Sequence, residues 1–172
     1  QALMRPSPMF PPFARALAVL ALILAGLSAA CSNTNPTAPT PGVDLAVITL
    51  SVDPNPIVAT PSASPGFSFA VQFTVIIQET SGVGGNMQLV RSTLFDPVTG
   101  QTVALNTYDD KDLIVFSGTN RVDPKGTLKV TQILNYTIAS NNLTKAANLT
   151  VFIQFKDDHG NVLTQSQLVQ VI

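Results

Sequence analysis

The 172-residue chain carries nine basic and ten acidic side chains, one histidine, one cysteine and no tryptophan. A lone cysteine has no intrachain partner, so a disulfide-stapled scaffold is excluded, and zinc lacks a ligand set. No basic cluster occurs, which speaks against nucleic-acid binding.

In chain order the first predicted element is a leader over residues 1–30, with Met4 read as the start. Arg5 and Arg15 are the only charges ahead of Cys31, and the run ALAVLALILAGLSAA that follows them holds neither charge nor proline. A spanning helix needs about 20 apolar residues, more than this run supplies. A basic beginning, a short apolar core and small residues at its end describe a secretory signal peptide.

The close of that run, Leu27-Ser28-Ala29-Ala30-Cys31, resembles the lipobox of bacterial lipoproteins, with Ser28 standing where leucine is usual. The resemblance implies that the Cys31 thiol receives a diacylglyceryl group and that cleavage before it makes Cys31 the mature N-terminus. The membrane partner would then be held through acyl chains such as palmitate. Ser32, in place of an aspartate, leans toward the outer membrane if the cell is Gram-negative. The chemistry is consistent, because a thiolate is the required nucleophile. One acyl chain binds marginally, at about 0.8 kcal/mol per methylene, whereas several hold firmly. The competing readings are an incidental cysteine beside an ordinary cleavage site and a short uncleaved anchor.

Residues 31–42 form the lipidated cysteine and a tether. Its sequence, SNTNPTAPTPG, has three prolines and no charge. Such a segment cannot offset its ordering entropy by burial. Its prolines favour an extended chain spanning roughly 30 Å. The remaining domain, 43–172, is long enough for a sizeable core. Without Arg5 and Arg15 the balance is seven basic against ten acidic residues, net −3.

Within the domain the hydrophobic period is two nearly everywhere. Leu45–Val52 predicts a first strand, stopped at Asp53-Pro54. The stretch through Gly66 reads as a loop or edge crossing, since Pro61 and Pro65 bar it from a central ladder. Phe67–Glu79 is the clearest strand, with Phe67, Phe69, Val71, Phe73, Val75 and Ile77 on one face. Six large residues in register mark a core face rather than a ligand platform. Met87–Phe95 predicts a less regular strand, interrupted by Arg91. Asp96–Gly100 has the proline and glycine of a hairpin loop, and Thr102–Leu105 pairs back. Asp112–Phe116 is read as a short strand and Arg121–Gly126 as a turn.

Thr127–Ile138 places Leu128, Val130, Leu134, Tyr136 and Ile138 together, with Gln132 breaking the face. Ala147–Phe155 groups Leu149, Val151, Ile153 and Phe155, leaving Phe152 opposite. Asp157–Asn161 predicts a tight turn before a last strand, Val162–Ile172. No helical period is read after Cys31. Seven or eight strands at short spacing predict an all-β, antiparallel sandwich with Greek-key connections. The closing stretch VFIQFKDDHGNVLTQSQLVQV resembles the last hairpin of bacterial Ig-like and fibronectin-III-like domains. That resemblance implies an Ig-like sandwich without the paired cysteines and tryptophan of antibody domains.

Candidate sites are few. His159 is the lone histidine, in a turn, with no serine or cysteine nucleophile set beside it, so no enzyme is expected. Asp109, Asp110 and Asp112 form one acidic loop, and Asp157 and Asp158 another. Calcium, which takes six to eight oxygens, would need the two loops to meet; turn aspartates facing water are the simpler reading. No cofactor is expected. Sequons at Asn135, Asn142 and Asn148 matter only in a eukaryotic secretory route. Val90, Leu94, Phe116 and Phe152 are candidates for an outward apolar patch, and edge strands for strand addition. The sequence thus predicts a lipid-anchored envelope protein with a non-catalytic interaction or structural module and a protein or glycan partner. The alternatives are a calcium-stabilised adhesion or glycan-binding domain, and a periplasmic inhibitor or chaperone.

Overall fold

The computed structural model describes residues 44–138 and 145–172. The predicted leader, Cys31, the tether and Asn142 lie outside the described residues. The elements are β1 (Ile48–Asp53), β2 (Thr60–Pro61), β3 (Phe69–Glu79), β4 (Gly85–Phe95), β5 (Thr102–Asp109), α1 (Asp110–Ser117), β6 (Arg121–Val122), β7 (Thr127–Tyr136), β8 (Ala147–Asp157) and β9 (Val162–Val171).

These strands form two antiparallel sheets. In one, β3 lies between β7 on one side and β1 and β2 on the other. The second has the order β5-β4-β8-β9, with β6 beside the start of β4. Hairpins join β4 to β5 and β8 to β9, while β3–β4 and β7–β8 cross between sheets. This is an antiparallel Ig-like β-sandwich. Seven of its nine strands have six or more residues, and β2 and β6 have two each. Between β1 and β2 the chain leaves the first sheet and runs parallel to the end of β9. There the Ile57 amide donates to the Gln170 carbonyl, and those of Ala59 and Ile172 donate to the carbonyls of Ile172 and Ile57.

The alternation in the sequence is the alternation of the core. Val71, Phe73, Val75 and Ile77 of β3 face Leu149, Val151, Ile153 and Phe155 of β8, all buried. Each such side chain contributes roughly 1.5–3 kcal/mol through burial. The predicted start of this strand at Phe67 is two residues early, and Phe67 itself is 47% exposed. Strand β4 looks irregular in sequence because its buried positions change parity, from Met87 to Val90, Ser92 and Leu94. A bulge between Met87 and Leu89 supplies the extra residue,. Val90 and Leu94 are therefore core residues, not members of an outward patch, while Phe152 is half-buried.

One element overturns its prediction. Asp112–Phe116 is not a strand but lies in helix α1, so a helical segment does follow Cys31. The β-branched Ile114 and Val115 suggest a strand, yet the ends decide the structure. The Asp109 carboxylate accepts from the Lys111 and Asp112 amides, and Asp112 accepts from the Asp109 amide, a complete capping box,. Gly118 closes the helix in the left-handed conformation, φ 78°,. Strand β5 correspondingly runs on to Asp109, past the predicted Leu105. Residues 121–126, predicted as a turn, begin with the two-residue β6.

Candidate functional site

Two regions merit scrutiny for chemistry: the loop end of the sandwich, where the charges gather, and the open edge between β5 and β7. At the loop end, β3 continues its inward alternation one step past Ile77, which places Glu79 in the interior with no exposed surface. Its carboxylate accepts five hydrogen bonds. Oε1 takes the amides of Ser81 (2.7 Å) and Val47 (3.3 Å) and the Ser81 hydroxyl (2.5 Å). Oε2 takes the amides of Gly82 and Lys125, both at 2.8 Å. Lys125 adopts a left-handed backbone, φ 57°, in the Asp123–Gly126 turn that presents its amide to Glu79,. Burial pushes the Glu79 pKa up, but the bonds from Ser81, Lys125 and Gly82 outweigh it and hold the carboxyl well below its ordinary range,.

The neighbouring carboxylates are committed in the same way. Asp157 Oδ1 accepts the amides of His159 (3.0 Å) and Asn161 (2.7 Å), and the Asn161 side chain reaches both oxygens. Burial acts to raise the Asp157 pKa, and the Asn161 and His159 bonds reverse it to a net lowering. Arg121 grips Asp158 with two parallel bonds of 3.0 and 2.9 Å and reaches Asp123 at 3.1 Å,. That guanidinium holds the Asp158 carboxyl below its usual value. Packing is close around these loops. A Cβ on Gly85 would overlap the Lys156 carbonyl and the Phe155 ring.

The five aspartates weighed for calcium are thus placed. Asp109 pairs with Leu89 and Asp157 pairs across from Gly85, so both acidic loops lie toward one end of β4. They do not build a joint site. Asp109 and Asp112 cap α1, Asp157 organises its own turn, and Asp158 faces Arg121. Asp110 bonds the Lys111 amide at 3.0 Å. Among the described residues no group of three or more His, Cys, Asp or Glu is arranged to hold a metal ion. His159 is exposed, and its Nδ1 lies 2.9 Å from the Asp44 carbonyl oxygen.

The second region mixes apolar side chains with backbone and amide polar groups. Strand β5 pairs only with β4, and β7 only with β3, so each presents a free backbone edge among the described residues. Between them lies a cleft of about 370 Å³ lined by Phe67, Val103, Leu105, Asn106, Ile133 and Leu134, with neighbours Ala104 and Asn135. Leu105 and Ile133 are 59% and 57% exposed. Behind this seam the interior carries polar groups without partners: both amide atoms of Gln132 and the Ser92 hydroxyl. Gln132 does break the predicted apolar face of β7, and it does so fully buried. Asn135 and Asn148 sit in β7 and β8, half-buried, and Asn135 Oδ1 accepts from the Ser62 hydroxyl at 2.9 Å. Among the described residues no helix is long and apolar enough to cross a membrane.

No protein-family model matches the sequence, and no curated protein matches it. Solved structures do resemble the fold. Northeast Structural Genomics Consortium target SoR45 is 11% identical, with 72% of this chain and 84% of that chain covered and a TM-score of 0.53. The Bordetella pertussis structural-genomics target BeR40 is 14% identical, with 74% and 95% covered and a TM-score of 0.53. Murine CRIg is 15% identical, with 73% and 96% covered and a TM-score of 0.41. At such identities the first two likenesses speak to the sandwich alone.

Proposed function

We propose that this chain is a lipid-anchored, extracytoplasmic protein whose sandwich is a non-catalytic binding module, and that its partner is an extended segment of an envelope protein. The observation that carries the reading is the β5–β7 seam, where two free strand edges flank exposed Phe67, Leu105 and Ile133. Free amides and carbonyls there can extend either sheet, and the cleft, with Phe67, Leu105 and Ile133 beside Asn106 and Asn135, can take alternate side chains of an added strand,. The polar residues of the loop end favour the same conclusion. Their lone pairs and protons are spent on caps, turns and the two ion pairs of Arg121, which leaves no base beside a nucleophile among the described residues. The lipobox-like Leu27–Cys31 supports the anchor.

Two experiments test the two halves. Intact mass of the protein from its native membrane, beside Cys31→Ser, is expected to show a chain beginning at Cys31 with acyl mass that the variant lacks. An unacylated wild-type chain would end the anchoring claim. A photo-crosslinker at Leu105 is expected to capture an envelope protein that one at exposed Asp123, in the turn after β6 at the loop end, does not. Equal capture at both positions would remove the seam from consideration.

A further inference from the structure

The two long margins of the sandwich are finished differently. Between β1 and β9 the Gln165 side chain donates to the Ile48 carbonyl, and the Ile57–Ala59 stitch is bonded to the end of β9. Between β5 and β7 the cleft of about 370 Å³ stays open. Of these two strands β5 carries the fewer devices against strand addition. From Thr102 to Tyr108 it holds no charge and no proline, whereas β7 carries an exposed lysine, Lys129,.

The register shows what a strand added to β5 would meet. Ala104, Asn106 and Tyr108 pair with Leu94, Ser92 and Val90 of β4, all three buried, so they form the inward face of β5. Asn106 also lines the cleft. Paired side chains on one face stand about 5 Å apart at Cβ, which sets Asn106 beside the Ser92 hydroxyl. On the facing strand the same step recurs. Leu134 and Ala104 line the same cleft, and the next inward residues toward the loop end are Gln132 and Asn106. Gln132 is 1% exposed, and among the described residues neither its amide atoms nor the Ser92 hydroxyl has a partner. Interior polar groups are seldom left in that state. Here they stand on two different sheets, behind the one margin that is open.

We infer that β5 is the edge that receives the segment proposed above, and that this segment sets a carboxamide or hydroxyl side chain opposite Asn106. This inference rests on the seam as the docking edge. The incoming residue extends the row of Ser92 and Asn106 by one place on the inward face. It bonds the Gln132 amide across the gap and Asn106 beside it, and Asn106 relays to Ser92. Two positions away, opposite Ala104, the next inward side chain meets Phe67 and Leu134 and is apolar. No charged residue lines the cleft, so an ion buried there would go unpaired. The partner is therefore an uncharged extended segment with a polar residue spaced by two from an aliphatic one.

Short peptides displayed from a random library and selected on the full chain test this. We expect the selected sequences to share Asn, Gln, Ser or Thr at one position, an aliphatic residue two places away and no charge between them. On Gln132→Met, its fold checked by urea unfolding, those peptides are expected to bind roughly tenfold more weakly. A fresh selection on that variant should favour an aliphatic residue at the same position. Leu105→Arg, on the rim of the cleft, is expected to abolish binding of both sets. An aliphatic residue at that position in the wild-type selection would overturn the inference, as would affinity unchanged in Gln132→Met. The buried groups would then be left to water, while dependence on Leu105 would still uphold the seam as a docking edge. Peptides indifferent to Leu105→Arg, or a selection that yields none, would remove the seam itself.

Discussion

The loop end and the β5–β7 seam invert the usual association of polar residues with surfaces and apolar residues with cores. The loop end is made from Glu79, Asp157, Asp158 and Arg121, and it is the better satisfied of the two. Glu79 is buried because five donors replace the water it loses,. The seam is made from Phe67, Leu105 and Ile133, yet those remain exposed while Gln132 and Ser92 behind them are buried without partners. At the loop end a concentration of charge is consumed by the fold, whereas the seam leaves exposed apolar side chains in front of buried polar groups without partners,.

The contrast can be broken most severely at Glu79. Glu79→Ala leaves four backbone amides and one hydroxyl without their acceptor, and urea unfolding is expected to register a loss of about 3–5 kcal/mol. A loss below ~1 kcal/mol would show that water satisfies these donors. The same carboxylate sets an acid limit. Its folded pKa lies below the ordinary 4.5, so the unfolded chain takes up the proton first as pH falls. The contribution is whole above about pH 4.5 and is lost progressively below it. Asp157 and Asp158, also lowered, act in the same direction. Stability measured from pH 6 downward is therefore expected to fall more steeply in wild type than in Glu79→Gln.

At the seam the expected sign reverses. Gln132→Met replaces an unpartnered buried amide by an apolar side chain of similar length, and a gain of roughly 1–2 kcal/mol is expected from thermal or urea unfolding. A loss instead would show that the amide has a partner in solution. The smallest effect belongs to the half-exposed ion pair. Arg121→Lys gives up the two parallel bonds to Asp158, and a small loss of stability that shrinks further with added salt is the expected result of urea unfolding.

Most of the framework was legible because sheet periodicity is a local property. The faces of β3, β7 and β8 follow from alternation alone, and the Asp96 and Asp157 turns from their glycines and carboxylates. Glu79 was legible too, since it occupies the next place in the series that runs through Val75 and Ile77. Its charge disguised it, although the following Ser81-Gly82 supplies three of its five donors; those from Val47 and Lys125 come from distant segments. Helix α1 was obscured for a different reason. Its apolar run, Leu113–Phe116, has strand-like composition, whereas the signals that decide it stand outside that run, at Asp109, Asp112 and Gly118. The pairing of Arg121 with Asp158 spans 37 positions, and no pattern in either segment announces it. The seam depends on which strands lack neighbours, and that is a property of topology rather than of any stretch of sequence.

The parallel stitch at Ile57–Ala59 gives the molecule a mechanical character. Both β1 and β9 run from the loop end toward the opposite end, so Asp44 and Ile172 emerge at opposite ends of the sandwich. A tension applied between them pulls along the strands. The three bonds joining Ile57 and Ala59 to Gln170 and Ile172, each 2.9–3.0 Å, are then loaded in shear and resist as a group, where a hairpin peeled from its tip would yield them one by one.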